Sequence, residues 1–111
     1  MTENSRVARI WHGWTTAENA DVYQAVVEGE VFPGILERHI PGLVGAHLMR
    51  DDEVVDEEVE FTTIIWFERL EDVKIFMGED YRRAHLPESA RAVLKRFDSE
   101  ARHFHVLGYF S

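Results

Sequence analysis

The chain of 111 residues is 45% hydrophobic and 30% charged, which is typical of a globular protein and argues against an intrinsically disordered one. Its 21 acidic residues outnumber its 12 lysines and arginines, and the resulting formal charge of −9 disfavours nucleic acid and anionic membrane surfaces as partners. Because the chain contains no cysteine, a disulfide framework, a thiol nucleophile and a cysteine zinc site are excluded.

The sequence also lacks the signals of export and membrane insertion. The opening "MTENSR" has no apolar core of a signal peptide, and no apolar run approaches the length that spans a bilayer. We therefore expect a single domain over residues 1–111, located in the cytoplasm.

The first predicted element is a strand, "RVARIWHGWT", rich in β-branched and aromatic residues. Val7 and Trp11 lie on one alternating face, and Ala8, Ile10 and Trp14 lie on the other. Apolar residues on both faces indicate a strand that is covered on both sides.

A helix is predicted next. Thr15 and Glu18 have the spacing of a capping box, and apolar residues recur at helical intervals from Ala20 to Val31. Pro33-Gly34 is expected to break or kink this helix, with a short helical turn through "ILERH" after it.

Two further strands, "LVGAHLMR" and "VEFTTIIWFE", are predicted around an acidic turn. The run "DDEVVDEEVE" (51–60) holds seven acidic residues, which we interpret as a solvated hairpin. It has neither the ligand spacing nor the glycine of a calcium loop.

The C-terminal third is predicted to be helical up to a last strand. "LEDVKIFMG" reads as a helix that ends at Gly78, "EDYRRAH" as its helical continuation, and "PESARAVLKRF" as another helix. "ARHFHVLGYF" is the fourth strand.

The predicted order is β-α-β-β-α-β. Right-handed crossovers turn this order into an α+β, ferredoxin-like fold with a four-stranded antiparallel sheet and helices on one face. The other face of the sheet is also apolar, which favours a homodimer through sheet-to-sheet packing.

The order of elements, the turn "IPGLVG" and the passage "TIIWFERLEDVKIFMGEDYRRAH" resemble the antibiotic biosynthesis monooxygenase superfamily, from about Val7 to Phe110. The resemblance implies a dimeric α/β barrel and the oxidation of a small aromatic, phenolic or quinol-like compound without a bound cofactor. No glycine-rich phosphate loop is present, so a flavin or nicotinamide is not indicated. A non-catalytic, ligand-binding or stress-related barrel dimer is the main alternative.

The haem-degrading branch of this superfamily offers a second alternative. Ala84-His85 resembles the Ala-His pair that supplies its haem-ligating histidine. Phe76 lies nearest to the position of its porphyrin-packing tryptophan, and its first-strand asparagine corresponds to Trp11 or His12. Because two of the three positions differ, we expect no cofactor.

The candidate site residues follow from the resemblance and from residue chemistry, since imidazole transfers protons near neutral pH and aromatic rings shape an apolar slot. We predict catalytic roles for His12 and His85, and substrate contacts for Trp14, Trp66, Phe76 and Tyr81. Packing is the alternative role for each aromatic ring.

Three histidines raise the possibility of a metal site. His103 and His105 share a face of the last strand, and His12 on the neighbouring first strand could join them. No carboxylate lies in register with them, so we predict stacked histidines and no metal.

Overall fold

The computed structural model describes residues 6–111, and within them no helix is long and apolar enough to cross a membrane. The elements in chain order are strand β1 (Val7–Thr16), helix α1 (Ala20–Val26), a π-helical turn (Val27–Val31), helix α2 (Phe32–Glu37), strands β2 (Leu43–Arg50) and β3 (Glu58–Phe67), helices α3 (Leu70–Met77) and α4 (Glu88–Arg91), and strands β4 (Arg96–Phe97) and β5 (Arg102–His105).

The strands form one antiparallel sheet in which β3 lies between β2 and β1. The other edge of β1 is shared, because β5 pairs with Val7–Ile10 and β4 pairs with Gly13 and Trp14. Together β4 and β5 occupy the place of the predicted fourth strand. The α+β, ferredoxin-like arrangement predicted from the sequence is therefore confirmed.

Side chains alternate across this sheet. Val7 and Trp11 on β1 and Phe61 and Phe67 on β3 are buried on the face that packs against the helices. Ile10 and its neighbours of even number lie on the opposite face. We call the first the helix-covered face and the second the open face.

The first helical region does not end at Pro33. The N–H of Phe32 donates to the carbonyl of Val27, five residues earlier, and α2 then continues to Glu37. Proline lacks an N–H, and its ring clashes with the carbonyl four residues before it in an α-helix. A widened π-turn directly before Pro33 relieves this clash, so the predicted break is a local widening.

The predicted capping box is wrong. Thr15 is fully buried within β1, and its hydroxyl has no hydrogen-bond partner among residues 6–111. Asn19 is the N-cap of α1, and its N–H donates to the hydroxyl of Thr16 at 3.2 Å. The strand therefore continues through the position where the motif placed the start of a helix.

The predicted helices after Gly78 are largely wrong. The N–H of Ala84 donates to the carbonyl of Ser99 at 2.9 Å, so "EDYRRAH" pairs with a distant segment and is not helical. Helix α4 covers only residues 88–91, because the next residues turn towards the sheet. There the N–H of Lys95 donates to the carbonyl of Trp14 at 2.7 Å. The last strand is also shorter than predicted and ends at His105.

The acidic run forms the exposed hairpin that the sequence predicts. Residues 51–57 are all exposed. Val55 and Glu58 exchange backbone hydrogen bonds of 3.0 and 2.9 Å, and both central residues, Asp56 and Glu57, have positive φ. This is the backbone conformation of a two-residue type I′ turn.

A glycine before β2 makes room for a buried carboxylate. Gly42 has φ +82°, and a Cβ on it would overlap the carboxylate of Asp72. Asp72 on α3 is fully buried and accepts a hydrogen bond from Nη2 of Arg69 at 3.2 Å. The turn into β2 and the first turn of α3 therefore pack in direct contact.

We expect Gly42→Ala to lower the free energy of unfolding by about 2–4 kcal/mol, because the new methyl group meets both an unfavourable φ and the Asp72 carboxylate. Urea unfolding followed by circular dichroism measures the loss. Gly34→Ala is the control, since a Cβ at this helical position meets no atom within 4 Å and stability should be equal or slightly higher. Equal stability of the two variants would show that the Gly42 contact is not formed.

Candidate functional site

A cavity of about 80 Å³ lies between the helix-covered face of the sheet and the helices. The sheet contributes Trp11 and Ile65, and the first helical region contributes Tyr23 and Val27. The opposite wall is the irregular segment 84–87, which leads into α4. The lining is mostly apolar, which suits a small hydrophobic ring.

Trp11 forms one wall and is fixed in place. Its indole N–H donates to the carbonyl of Asp98 at 2.8 Å, and the side chain is only 6% exposed. Gly13, two residues along the same face, lies directly under the ring, where a Cβ would come within 2.7 Å of the indole. The glycine in "RIWHGW" therefore provides the space that the tryptophan occupies.

Among residues 6–111, Arg9 is the only arginine, lysine, aspartate or glutamate that lines the cavity. It is 6% exposed, and its Nη1 donates to the carbonyl of Tyr81 and contacts Nε2 of His103 at 3.0 Å. Its Nη2 donates to the carbonyl of Arg83 at 3.4 Å. Burial lowers the pKa of the Arg9 guanidinium to about 10, so the group remains charged at neutral pH.

His103 is the side-chain partner of Arg9. Burial, together with the positive charges of Arg9 and Arg82, lowers the pKa of the His103 imidazole to about 4. The ring is neutral at pH 7 and can accept the hydrogen bond from Arg9. Tyr81 packs against the same imidazole with its ring at 5.1 Å, edge to face.

Of the predicted site residues, His85 lines the cavity. Tyr81 is not part of the lining, but its carbonyl accepts a hydrogen bond from Arg9 and its ring packs on His103. The side chain of His85 is exposed, so it lies at the mouth and not in the interior. Burial also raises the pKa of the Tyr23 phenol to about 12, which keeps that wall uncharged.

Phe76 lies elsewhere. Its ring packs on Phe67 at 5.6 Å in the second cluster of the core, and the guanidinium of Arg38 lies 5.0 Å from the ring. The residue that corresponds most closely to the porphyrin-packing tryptophan is therefore outside the cavity that His85 borders. With a volume of about 80 Å³, this arrangement does not fit a haem.

His12, Trp14 and Trp66 lie on the open face. Nδ1 of His12 is 3.0 Å from Oδ2 of Asp98, and the guanidinium of Arg96 lies 3.9 Å from the Trp14 ring. The indole N–H of Trp66 donates to Nδ1 of His47 at 2.9 Å. The sheet separates these residues from His85, so the predicted set does not form one site within a single chain.

The three histidines considered for a metal are also divided by the sheet. His103 is the cross-strand partner of Arg9, and His105 is the partner of Val7, so both lie on the helix-covered face. His12 lies on the open face. Within residues 6–111 no group of three metal-ligating side chains comes together.

Sequence reasoning did not single out Arg9. The signal was available, because Arg9 is two residues from both Val7 and Trp11 and must share their face of the strand. A charged residue on a strand face that is covered by helices needs buried partners or a ligand.

Comparison with known proteins supports the fold. No family model matches the chain, and no curated protein is similar to it in sequence. It superposes on a Bacillus cereus protein assigned to the antibiotic biosynthesis monooxygenases, with a TM-score of 0.65 at 15% identity, covering 96% of this chain and 98% of that one. The predicted resemblance to this superfamily is therefore confirmed at the level of the fold.

Two further structures have described activities. SnoaB, a cofactor-independent oxygenase from Streptomyces nogalater, aligns at 15% identity over 90% of this chain and 91% of that one, with a TM-score of 0.58. The ActVA-Orf6 monooxygenase of Streptomyces coelicolor, solved with the ligand nanaomycin D, aligns at 14% identity over 100% and 93%, also with a TM-score of 0.58.

The neutral state of His103 predicts a pH dependence of folding. The pKa of His103 is about 4 in the folded chain and 6.5 in a model peptide, so the unfolded chain binds the proton more readily. This contribution to stability is complete above pH 6.5 and is lost as the pH falls towards 4. With allowance for the partial exposure of the ring, we expect a loss on the order of 1 kcal/mol.

His103→Gln isolates this contribution, because glutamine can accept the bond from Arg9 but does not titrate. We measure the free energy of unfolding of both proteins by urea unfolding from pH 7 to pH 4. As the pH falls, the wild type should lose more stability than the variant. A difference that is constant with pH would contradict a neutral His103 in the folded chain.

Proposed function

We propose that this protein is a cofactor-independent oxygenase that acts on a small aromatic compound of the phenol or quinol type. The observation that carries the proposal is an apolar cavity that contains a buried cation, Arg9. The fold shared with SnoaB and with the ActVA-Orf6 monooxygenase supports it.

The reaction that we propose uses the substrate as its own reductant. The substrate first loses one proton, from a phenol hydroxyl or a ring CH₂, and the phenolate or enolate reacts with O₂ at a ring carbon that still carries a hydrogen. That carbon then loses its hydrogen and becomes a carbonyl, and the second oxygen atom leaves as water. The C–O bond forms as the substrate transfers electrons to O₂, and the O–O bond then breaks. The protein contributes proton transfer, orientation and the exclusion of water.

We assign these contributions to residues at the cavity. His85 at the mouth accepts the substrate proton, and Trp11 and Tyr23 form the walls against which the ring lies. We also propose that the hydroxyl of Tyr81, whose ring contacts His103, donates a hydrogen bond to a substrate oxygen. His12 lies on the open face and is the second candidate for proton transfer.

The volume of the cavity limits the substrate. A volume of about 80 Å³ is below the roughly 300–1,000 Å³ that is typical of ligand pockets. A fused ring system therefore requires a wall to move, and residues 84–87 have no regular secondary structure to resist this movement. The small volume also favours the second candidate function, a ligand-binding protein without turnover.

We further propose that the protein is a homodimer that packs the open faces of two sheets together. The open face carries large apolar side chains that remain at least partly exposed in a single chain: Ile10, Trp14, Met49, Ile64, Trp66 and Phe104. Exposed apolar patches of this kind mark interaction sites. In a dimer with twofold symmetry, the open face of one chain packs against the same face of the other chain.

We expect the purified protein to consume oxygen with a member of a panel of hydroquinones and anthrones, in the absence of added metal or cofactor. His85→Gln should lower the rate by about 100-fold, since a general base contributes at least this much. Rates are measured with an oxygen electrode and confirmed by mass analysis of the product after incubation under ¹⁸O₂.

The matched control is His12→Gln, which changes the same type of side chain on the other face of the sheet. If only His12→Gln loses activity, proton transfer takes place at the open face. If no substrate of the panel supports oxygen uptake while a compound still binds, the ligand-binding alternative replaces the oxygenase proposal.

Light scattering tests the dimer. The wild type should have twice the 12.9 kDa mass of the chain at micromolar concentration. Ile64→Lys, at the centre of the open face, should yield a folded monomer because the charge must be desolvated on association. Ile75→Lys, on the exposed surface of α3, is the control and should remain dimeric. A monomeric wild type would refute the proposal.

A further inference from the structure

Arg9 is a buried cation without an anionic partner. No aspartate or glutamate among residues 6–111 lies within ion-pair distance of its guanidinium, whereas five other cationic side chains each pair with a carboxylate: Arg50, Arg69, Arg83, Lys95 and Arg96. Its neighbours are two backbone carbonyls, of Tyr81 and Arg83, and the neutral imidazole of His103. Carbonyl dipoles offset only part of the cost of removing a full charge from water.

The guanidinium also has N–H groups that donate to no residue in the described part of the chain. Arginine has five N–H groups, and the bonds formed by residues 6–111 use both hydrogens of Nη1 and one hydrogen of Nη2. Nε and the second hydrogen of Nη2 have no acceptor in the part of the chain that the structure describes. Because Arg9 lines the cavity, a ligand that enters the cavity can accept hydrogen bonds from these groups.

The remaining lining supplies no competing charge. The other residues that line the cavity are apolar or neutral apart from His85 at the mouth, and the negative charge of the protein is concentrated elsewhere, as in the exposed hairpin 51–57. An anion that enters the cavity therefore meets one positive charge at low local dielectric and no carboxylate. A neutral ring of the same shape gains only its apolar contacts.

We propose that Arg9 is the specificity-determining residue of this cavity and that it selects aromatic ligands in their deprotonated form, as phenolates or enolates, over neutral isosteres. The inference rests on the proposed function for the identity of the substrate, but the binding preference does not depend on turnover. In the reaction it makes Arg9 a positioning residue that holds the electron-rich oxygen of the substrate while His85 carries the proton away.

The test measures binding and ionisation without chemistry. 4-Nitrophenol is a single-ring probe, which suits a small cavity, and its absorption changes when it loses its proton. An opposite charge at close range lowers the pKa of an acid by about 1–3. We therefore expect the pKa of the protein-bound probe to fall by at least about 1, which corresponds to about tenfold tighter binding of the anion than of the neutral phenol.

Three variants test whether Arg9 causes the fall in the pKa of the bound probe. Arg9→Met should abolish the downward shift in the pKa of the bound probe, and Arg9→Lys should retain part of it. Arg91→Met removes an exposed positive charge from α4 and should leave the shift unchanged. Circular dichroism confirms that each variant is folded, and a purely structural Arg9 would not change the spectrum of the probe.

Measurements on the wild-type protein alone can contradict the proposal. An unchanged or raised pKa of the bound probe, binding of 4-nitroanisole as tight as that of the phenolate, or no saturable binding of the anion at millimolar concentration would each contradict it. An Arg9→Met variant that keeps the shift would contradict it as well. Oxygen uptake is measured separately, so a failed oxygenase assay with an intact shift rejects only the proposed function.

Discussion

The alternation of side chains along β1 is the constraint on which the rest of the structure depends. β1 pairs with β3 on one edge and with both β4 and β5 on the other, so its register fixes the whole sheet. Arg9 and Trp11 face the helices, whereas Ile10 and His12 lie on the open face. A slip of one residue would exchange the side chains of the two faces and place a histidine in the core. The pairing of β1 with β3 along the full length of both strands prevents this slip.

Two buried charges are stabilised in different ways. Asp72 is fully buried, but it has an ionic partner in Arg69, at the start of the same helix. Arg9 is held by carbonyls and by a neutral imidazole, an arrangement that leaves its charge uncompensated. Among residues 6–111, the buried Asp72 thus has a charged partner and the buried Arg9 has none.

The sequence predicted the sheet well and the C-terminal helices poorly, for physical reasons. The strand Leu43–Arg50 was predicted to the residue, because its β-forming run is bounded by Gly42 and the acidic turn. "EDYRRAH" has helical composition, but its backbone bonds to Ser99, which is distant in sequence, and pattern reasoning cannot weigh such a pairing. Within the candidate site, His85 is predicted from the resemblance of Ala84-His85 to a known Ala-His pair. Arg9 is not, because its significance depends on the carbonyls of residues 81 and 83, which only the fold brings to it.

The distribution of the three tryptophans has an optical consequence. Trp11 lines the cavity, while Trp14 and Trp66 lie across the sheet on the open face. A quencher that fills the cavity affects the emission of Trp11, and a partner that covers the open face shifts the emission of the other two. The chain thus contains separate intrinsic fluorophores for its two surfaces, and variants that keep a single tryptophan can distinguish ligand entry from association without an added label.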